Sequence, residues 1–491
     1  MICEVPDLIA KRAALAPGRV AMEDAATGRT FTYGELDRRS ARAASLIAEA
    51  GVREGDRVVI LCRNRVQFFE ILFGCAKLGA ILVPLNWRMP RAELEKLVED
   101  SEPKLLFFGA EDAEAAAGLL RDWIGLDEDY ERRLEAAPER EFRASWPAEQ
   151  IWYLLYTSGT TGRPKGVIYN YRMALANYVN IRTAIDLAST DTVACFLPLF
   201  HTAGINLHAL PALIAGGRVI MLGAFDADAV VRLLDERRLS AFFAVPAVYQ
   251  SLLEHPRFAA VPLDEVRNWG CGGAPLPDAL VERYRSLGVR VCNGMGMTET
   301  GPTAFLAASE DAWERIGSVG KPQLLCSVRI VDGDGGDVPD GEVGELLFGG
   351  PGITPGYWRN GEATSACFTP DGWLRSGDLA RRDADGFYYV AGRRKEMFIS
   401  GGENVYPAEV ENVLCAHPEI SEAAVVPMLD VKWGEVGRAF VRLRNGTGLR
   451  SEDLDAYCRI HLASYKVPVR YDFVADFPRT AAGKIQKHLL A

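Results

Sequence analysis

Apolar and polar positions follow two periods along the first hundred residues. Thr32, with Glu35 three places on, predicts a capped helix that runs through an Ala-rich periodic stretch to Ala50. Asp56–Cys62 reads as a buried strand, a helix follows from about Gln67 to Leu78, and Ala80–Pro84 is a second short apolar run. Strands spaced by helices predict βαβ units and a mainly parallel sheet. The alternation returns over Asp191–Met221, with further strands at Ala241–Val245 and Val289–Cys292. Glu111–Arg143, rich in alanine and charge, reads as a solvated helical connector. From about Val328 to Val390 the texture changes. Asp-Gly turns separate Val328–Val331 from Glu345–Phe348 and precede Phe387–Val390, which predicts antiparallel hairpins. Beyond Gly392, helical and strand patterns mix to the end.

Composition narrows the function classes. The 491 residues include 55 basic and 66 acidic side chains, a net charge of −11. Such a surface has no general attraction for nucleic acid or anionic membranes, so neither is an expected partner, and an anionic substrate needs a purpose-built positive site. The length suggests about three structural units. Ten scattered cysteines without a Cys-x-x-Cys pair read as reduced and mostly buried. The N-terminus lacks a basic-then-apolar signal, and Ile205–Phe225 is broken by His208, Pro211, Gly216, Gly217 and Arg218. The end, His488–Ala491, lacks a peroxisomal address. A soluble cytoplasmic protein is the expectation.

The most informative segment is Tyr156–Val167, which follows the apolar run Ile151–Leu155. Gly159 and Gly162 free the backbone to turn its N–H groups on one point, while Thr157, Ser158, Thr160, Thr161 and the Lys165 cation add donors. That combination suits a polyphosphate. The Pro-Lys-Gly exit leads straight into a strand, which an idle surface loop does not need. The P-loop of NTPases requires Gly-Lys followed by Ser or Thr, whereas Lys165 stands three residues after Gly162 and precedes Gly166, so a different architecture is implied.

The string resembles the signature of the adenylate-forming superfamily, which includes acyl-CoA synthetases of the 4-coumarate and feruloyl type. Six further segments match in order: Leu197–Gly204, Gly272–Leu276, Gly296–Gly301, Ser376–Leu379, Gly392–Glu396 with Ser400–Val405, and Pro478–Lys484. The resemblance implies an α/β fold, with a large N-terminal domain (1–394) of doubly wound sheets. Within it, a β-barrel-like part spans about 328–390, and residues 395–491 form a small mobile α+β lid hinged at Lys395.

The implied reaction joins a carboxylate to ATP with Mg²⁺, releasing pyrophosphate, and then passes the acyl group from AMP to coenzyme A. Charge neutralisation between two anions is its first demand. The resemblance gives Lys484 that task at the α-phosphate and gives Glu299, with Thr157, the metal. Thr298 meets the α-phosphate, and Asp378 holds the ribose with Arg393 and Val390 near by. Gly273, Ala274, Pro275, Asn293, Gly294, Met295, Gly296 and Met297 border the nucleotide. Met295 stands where the family usually carries an aromatic residue that stacks on adenine, and a thioether covers a purine face less rigidly.

His201 is expected to gate the acyl pocket, with Thr202, Gly204, Phe243, Gly273, Gly294, Gly296, Gly301 and Pro302 as lining. Glu403 is expected to draw His201 aside once the C-terminal unit turns. Gly401 and Gly402 offer pantetheine a lane free of side chains, and Trp433 and Tyr465 stand where related ligases contact coenzyme A. Lys484 and that lane cannot serve the site together, which is the reason for a hinge.

Amino-acid adenylation enzymes usually carry an aspartate where His201 stands, and no acid lies within Leu197–Asn206. The pocket segments contain no arginine, which disfavours a second carboxylate on the substrate. A hydroxycinnamic acid is the expected substrate, with a medium- or long-chain fatty acid as the alternative. A stand-alone adenylation enzyme, a luciferase-like oxygenase and a non-catalytic nucleotide-binding module are the further readings. A homodimer is left open.

Overall fold

The computed structural model describes residues 3–157, 164–444, 448–480 and 484–490. Two large sheets share a layer of helices. The first has six strands in the order Lys165–Asn170, Ile151–Thr157, Ile81–Pro84, Arg57–Leu61, Leu105–Phe108 and Trp123–Gly125, all parallel except the first. The second has nine. Its parallel centre comprises Val291–Met297, Asn268–Cys271, Ala241–Ala244, Thr192–Cys195, Arg218–Met221 and Val20–Asp24, and antiparallel strands lie at both edges.

Helices Tyr33–Glu49, Val66–Leu78 and Tyr171–Ile185 bury their apolar residues in one cluster with inward residues of both sheets. Helix Arg91–Ser101 covers the outer face of the six-stranded sheet. Helices Ala227–Asp235, Pro246–Glu254 and Asp278–Arg285 cover the outer face of the other. Because both faces of the parallel strands are buried, they read as continuous apolar runs. The expected capping box is present: the Glu35 amide donates to Thr32 Oγ1 and the Thr32 amide donates to Glu35 Oε2.

The texture change near Val328 is a four-stranded antiparallel sheet: Ser327–Val331, Gly344–Gly349, Leu374–Arg382 and Tyr388–Arg393. A five-stranded sheet follows, built from Phe398–Ser400, Glu403–Val405, Ile420–Asp430, Gly434–Leu443 and Arg470–Phe473. Helices Pro407–Ala416 and Ser451–His461 pack into its core.

The connector expectation for Glu111–Arg143 needs correction. Trp123–Gly125 adds an edge strand, and helix Glu128–Ala136 buries Tyr130 and Leu134. Tyr130 also donates to the fully buried Glu70 carboxylate, which Arg39 holds as an ion pair at 2.6 Å. Three residues of strand inside a charged stretch give no period of their own, so only the neighbouring strand reveals them. Ile205–Phe225 begins inside a buried π-helical turn, Gly204–Ala209, and continues as helix Leu210–Ala215 and strand Arg218–Met221. Among the described residues no helix is long and apolar enough to cross a membrane.

Candidate active site

In open α/β sheets ligands sit beyond the carboxyl ends of the parallel strands. Four strands of the nine-stranded sheet deliver the expected segments there: 192–195 leads to 197–204, 241–244 carries Phe243, 268–271 leads to 272–275, and 291–297 leads to the turn Thr298–Thr300. Lys165, at the start of strand 165–170 of the six-stranded sheet, is linked to that turn through the Tyr357 ring. Thr157 and Lys165 are register partners across an antiparallel pair, so the phosphate loop between them is a strand-to-strand connection and not the strand-to-helix turn of a P-loop. Thr157 Oγ1 lies 3.4 Å from the Lys165 carbonyl. Ser158, Gly159, Thr160, Thr161 and Gly162 lie outside the described residues.

Glu299 is buried, and its Oε1 accepts a 2.8 Å hydrogen bond from the Tyr357 hydroxyl. Lys165 Nζ lies 5.1 Å from the centroid of that same ring. Burial, reinforced by the Glu299 carboxylate, keeps the phenol protonated. Thr298 is half-buried at the start of its turn. A single buried carboxylate beside hydroxyl groups suits Mg²⁺, which usually takes one or two protein carboxylates and completes its shell with water and substrate phosphates. The residues present therefore fit that ion.

Asp378 and Arg393 are register partners on adjacent strands, joined by an ion pair of 2.7 Å. Burial raises the Asp378 carboxyl above its ordinary value, while Arg393 and then Lys484 oppose the rise. Lys484 feels Arg393, Glu396 and Asp378 in turn, and burial followed by Arg393 lowers its ammonium from the ordinary lysine value. The C-terminal lysine thus lies within electrostatic reach of the Asp378–Arg393 pair. Lys487 anchors this end of the chain by ion pairs to Glu411 (2.6 Å) and Glu396 (3.2 Å).

The segments expected around the nucleotide stand on or directly after strands 268–271, 291–297 and 388–393. Gly296 pairs so closely with the returning strand that a Cβ there would lie 2.3 Å from the Pro302 carbonyl oxygen. The Asn293 side chain donates to the Ser318 carbonyl at 3.1 Å, so it secures the strand end. Met295, Met297 and Val390 pack against the core of the antiparallel sheet. Gly273, Ala274 and Pro275 follow strand 268–271 in a turn whose Gly273 has φ +81°.

His201 is half-buried, and its Nε2 has no hydrogen-bond partner among the described residues. Asn64 fixes the preceding loop by donating to the Leu197 carbonyl (2.8 Å) and accepting from the Leu199 amide (3.2 Å). Thr202 Oγ1 meets the Tyr169 hydroxyl at 2.6 Å. The ring of Phe243 meets His208 edge-on at 5.9 Å and lies beside Gly272. Gly204, Gly294, Gly301 and Pro302 complete the surrounding strands and turns.

Two residues escaped the sequence reading. His208 sits in the π-helical turn, where its isolated occurrence carried no motif. Arg88 comes from the loop after strand 81–84, and its charge acts on His201. The pocket segments themselves contain no arginine, as read from the sequence; the cation whose field acts on His201 comes from more than a hundred residues upstream.

Burial lowers both His201 and His208 to about 4 from an ordinary 6.5. Both therefore stay neutral near pH 7, while the unfolded chain takes up their protons below about 6.5. Their contribution to stability is present above that value and is lost as pH falls toward 4. His208→Gln should flatten the decline in unfolding free energy between pH 6.5 and pH 4.5, as measured by urea denaturation. An unchanged slope would contradict the burial of a neutral imidazole.

The small sheet carries the segment expected to meet coenzyme A. Gly401 has φ +61°, and a Cβ there would approach Trp433 Cε3 to 2.8 Å, so the glycine permits indole-on-backbone packing. Gly402 and Glu403 are exposed, Trp433 is half exposed, and Tyr465 is half-buried in its own turn. The charge acting on His201 in this arrangement is Arg88. Lys395 lies exposed in the turn between the last strand of the four-stranded sheet and the first of the five-stranded one.

Residues 9–358 match the family model described as AMP-binding enzyme, and residues 409–484 match the AMP-binding enzyme C-terminal domain. A feruloyl-CoA synthase from Amycolatopsis sp is 40% identical over 482 residues, covering 97% of this chain and 96% of that protein. A long-chain-fatty-acid–CoA ligase from Mycobacterium tuberculosis is 34% identical over 492 residues, covering 98% and 97%. The ATP-bound crystal structure of MatB from Rhodopseudomonas palustris superposes with a TM-score of 0.93 at 29% identity, covering 99% of this chain and 98% of that one.

Proposed function

Since the chain belongs to the AMP-binding enzyme family, we propose that it is an AMP-forming carboxylic acid:CoA ligase whose acid is apolar and aromatic, of the hydroxycinnamic kind. The observation that carries the ligase reading is the convergence of Lys165, Glu299, the Asp378–Arg393 pair and Lys484 on one crevice.

The acid's carboxylate attacks the α-phosphorus, and the bond to the pyrophosphate oxygen breaks. The Lys484 ammonium lies between the two anions and lowers their repulsion, in a crevice where partial burial strengthens its field. Asp378 accepts from the ribose hydroxyls, with Arg393 fixing its carboxylate. Glu299 and Thr157 would hold Mg²⁺, which would supply charge neutralisation to the phosphate oxygens. In the second half-reaction the coenzyme A thiolate attacks the acyl carbon and expels AMP. We assign Gly401, Gly402, Trp433 and Tyr465 to that step after the unit from 395 onward turns about Lys395.

A planar acid is supported by the aromatic ring of Phe243, which stands beside Gly272 and meets His208 edge-on at 5.9 Å among the segments expected to line the acyl site. The neutral state of His201 and His208 suits an apolar body. The 40% identical feruloyl-CoA synthase supports the same choice, whereas the fatty-acid ligase favours an aliphatic chain. Pyrophosphate release separates them when measured with ferulate, 4-coumarate, octanoate, palmitate, an aromatic dicarboxylate and an amino acid, each with and without coenzyme A. Hydroxycinnamates should give the highest kcat/KM, and a preference for aliphatic acids overturns the substrate assignment. No pyrophosphate with any acid would favour a non-catalytic module.

Lys395 tests the hinge. Lys395 is the third residue of the turn closed by the Glu396 amide on the Arg393 carbonyl (3.0 Å), so proline there fixes its φ, constrains Arg394 and restricts rotation. Lys395→Pro should slow thioester formation at least about tenfold, a barrier of ~1.4 kcal/mol, and adenylation far less. Equal losses in single-turnover assays of the two steps would argue against Lys395 as the pivot.

A further inference from the structure

Tyr357 falls in none of the segments assigned a role above, yet it touches two of them. Its hydroxyl donates to Glu299 Oε1 at 2.8 Å, and its ring faces Lys165 Nζ at 5.1 Å. We propose that Tyr357 is a positioning residue that keeps Glu299 and Lys165 apart across the triphosphate slot, so that both meet Mg·ATP instead of each other. The inference rests on reading Glu299 as the metal ligand.

A carboxylate and an ammonium at the two sides of a narrow crevice attract strongly when water is excluded. Among the described residues, however, neither Glu299 nor Lys165 has an ion-pair partner. Tyr357 satisfies each in a different way: the phenol O–H saturates one carboxylate oxygen, and the ring's negative face seats the cation. One Glu299 oxygen stays available to a metal.

The backbone holds the tyrosine in register with both partners. Residues 356–358 run along the strand that leaves the phosphate loop. The Ile168 amide donates to the Gly356 carbonyl (3.1 Å), Val167 and Tyr357 form an antiparallel bridge, and the Trp358 amide donates to the Gly166 carbonyl (2.7 Å). On the other side, the Thr354 amide donates to the Glu299 carbonyl at 2.8 Å, and Thr354 Oγ1 donates to the Ile168 carbonyl at 2.7 Å. The segment 354–358 therefore ties the metal-ligand turn to the phosphate-loop strand, with Tyr357 as the side chain between them.

The test is equilibrium binding of ATP by calorimetry across a Mg²⁺ titration, without acid or coenzyme A, so that no turnover occurs. Tyr357→Phe keeps the ring and removes the hydroxyl. It should raise the half-saturating Mg²⁺ concentration about tenfold, the scale of one hydrogen bond to a charged group, while ATP binding in EDTA stays unchanged. Tyr357→Leu removes the ring face as well and should also weaken binding in EDTA. An unchanged Mg²⁺ requirement in Y357F, with a raised one in Glu299→Gln, would overturn the positioning role. Equal weakening by Y357F with and without Mg²⁺ would do the same, because it would mark simple packing. If E299Q leaves the Mg²⁺ requirement unchanged, the metal-ligand reading fails first and this inference falls with it.

Discussion

Lys484→Ala will lower acyl-adenylate formation by about 10²–10³-fold, the scale seen when one preorganised group that stabilises developing charge is removed, and will spare thioester formation from preformed adenylate. The asymmetry follows from placement. Lys484 lies within electrostatic reach of the Asp378–Arg393 pair, and the groups assigned to coenzyme A lie elsewhere on the same small unit. Its ammonium is lowered from the ordinary lysine value, chiefly by burial and then by Arg393. Adenylation should accordingly decline on the alkaline side earlier than a solvated lysine would dictate, whereas thiolation from adenylate should show no such limb. Single-turnover measurements of the two half-reactions across pH check both statements. Equal loss in both, or a shared alkaline limb, would remove Lys484 from the α-phosphate.

The second large effect concerns the nucleotide. Asp378→Asn should raise the KM for ATP by about 10–100-fold, because hydrogen bonds to a charged acceptor contribute about 1.5–3 kcal/mol, and should leave the KM for the acid nearly unchanged. The substitution also deprives Arg393 of its 2.7 Å partner. Burial raises the wild-type carboxyl, so it takes up a proton at a higher pH than an ordinary aspartate. ATP affinity in the wild type should therefore weaken on the acid side sooner than for a solvated carboxylate, and D378N should lack that limb. A D378N variant with an unchanged KM for ATP would show that the carboxylate faces something other than ribose.

Much of this arrangement was legible in the order of residues. The Thr32–Glu35 box, the hairpins after Val328 and the strand on either side of the phosphate loop announce themselves through local rules of capping, turn chemistry and period. The motif residues Glu299, Asp378 and Lys484 could be named because each sits in a short string that matches a family pattern. What escaped depends on contacts remote in sequence. The edge strand Trp123–Gly125 exists because Leu105–Phe108 offers it a ladder. The charge of Arg88 acts on His201 only in the folded chain, and His208 is buried in a π-helical turn that no spacing rule marks. Tyr357 was invisible for the same reason: its hydroxyl partner lies 58 residues away, and its ring partner Lys165 begins a strand 192 residues upstream.

The central claim is that the phosphate-loop strand and the lysine near the C-terminus serve one nucleotide, with attack at the α-phosphorus. Isotope tracing tests it most directly. An accepted acid labelled with ¹⁸O in both carboxylate oxygens is turned over with ATP and coenzyme A, and the nucleotide product is analysed by mass spectrometry. Attack at the α-phosphorus followed by thiolysis must deliver one ¹⁸O into AMP and none into pyrophosphate. Label appearing in inorganic phosphate with ADP as product, or AMP formed without label, would contradict the account.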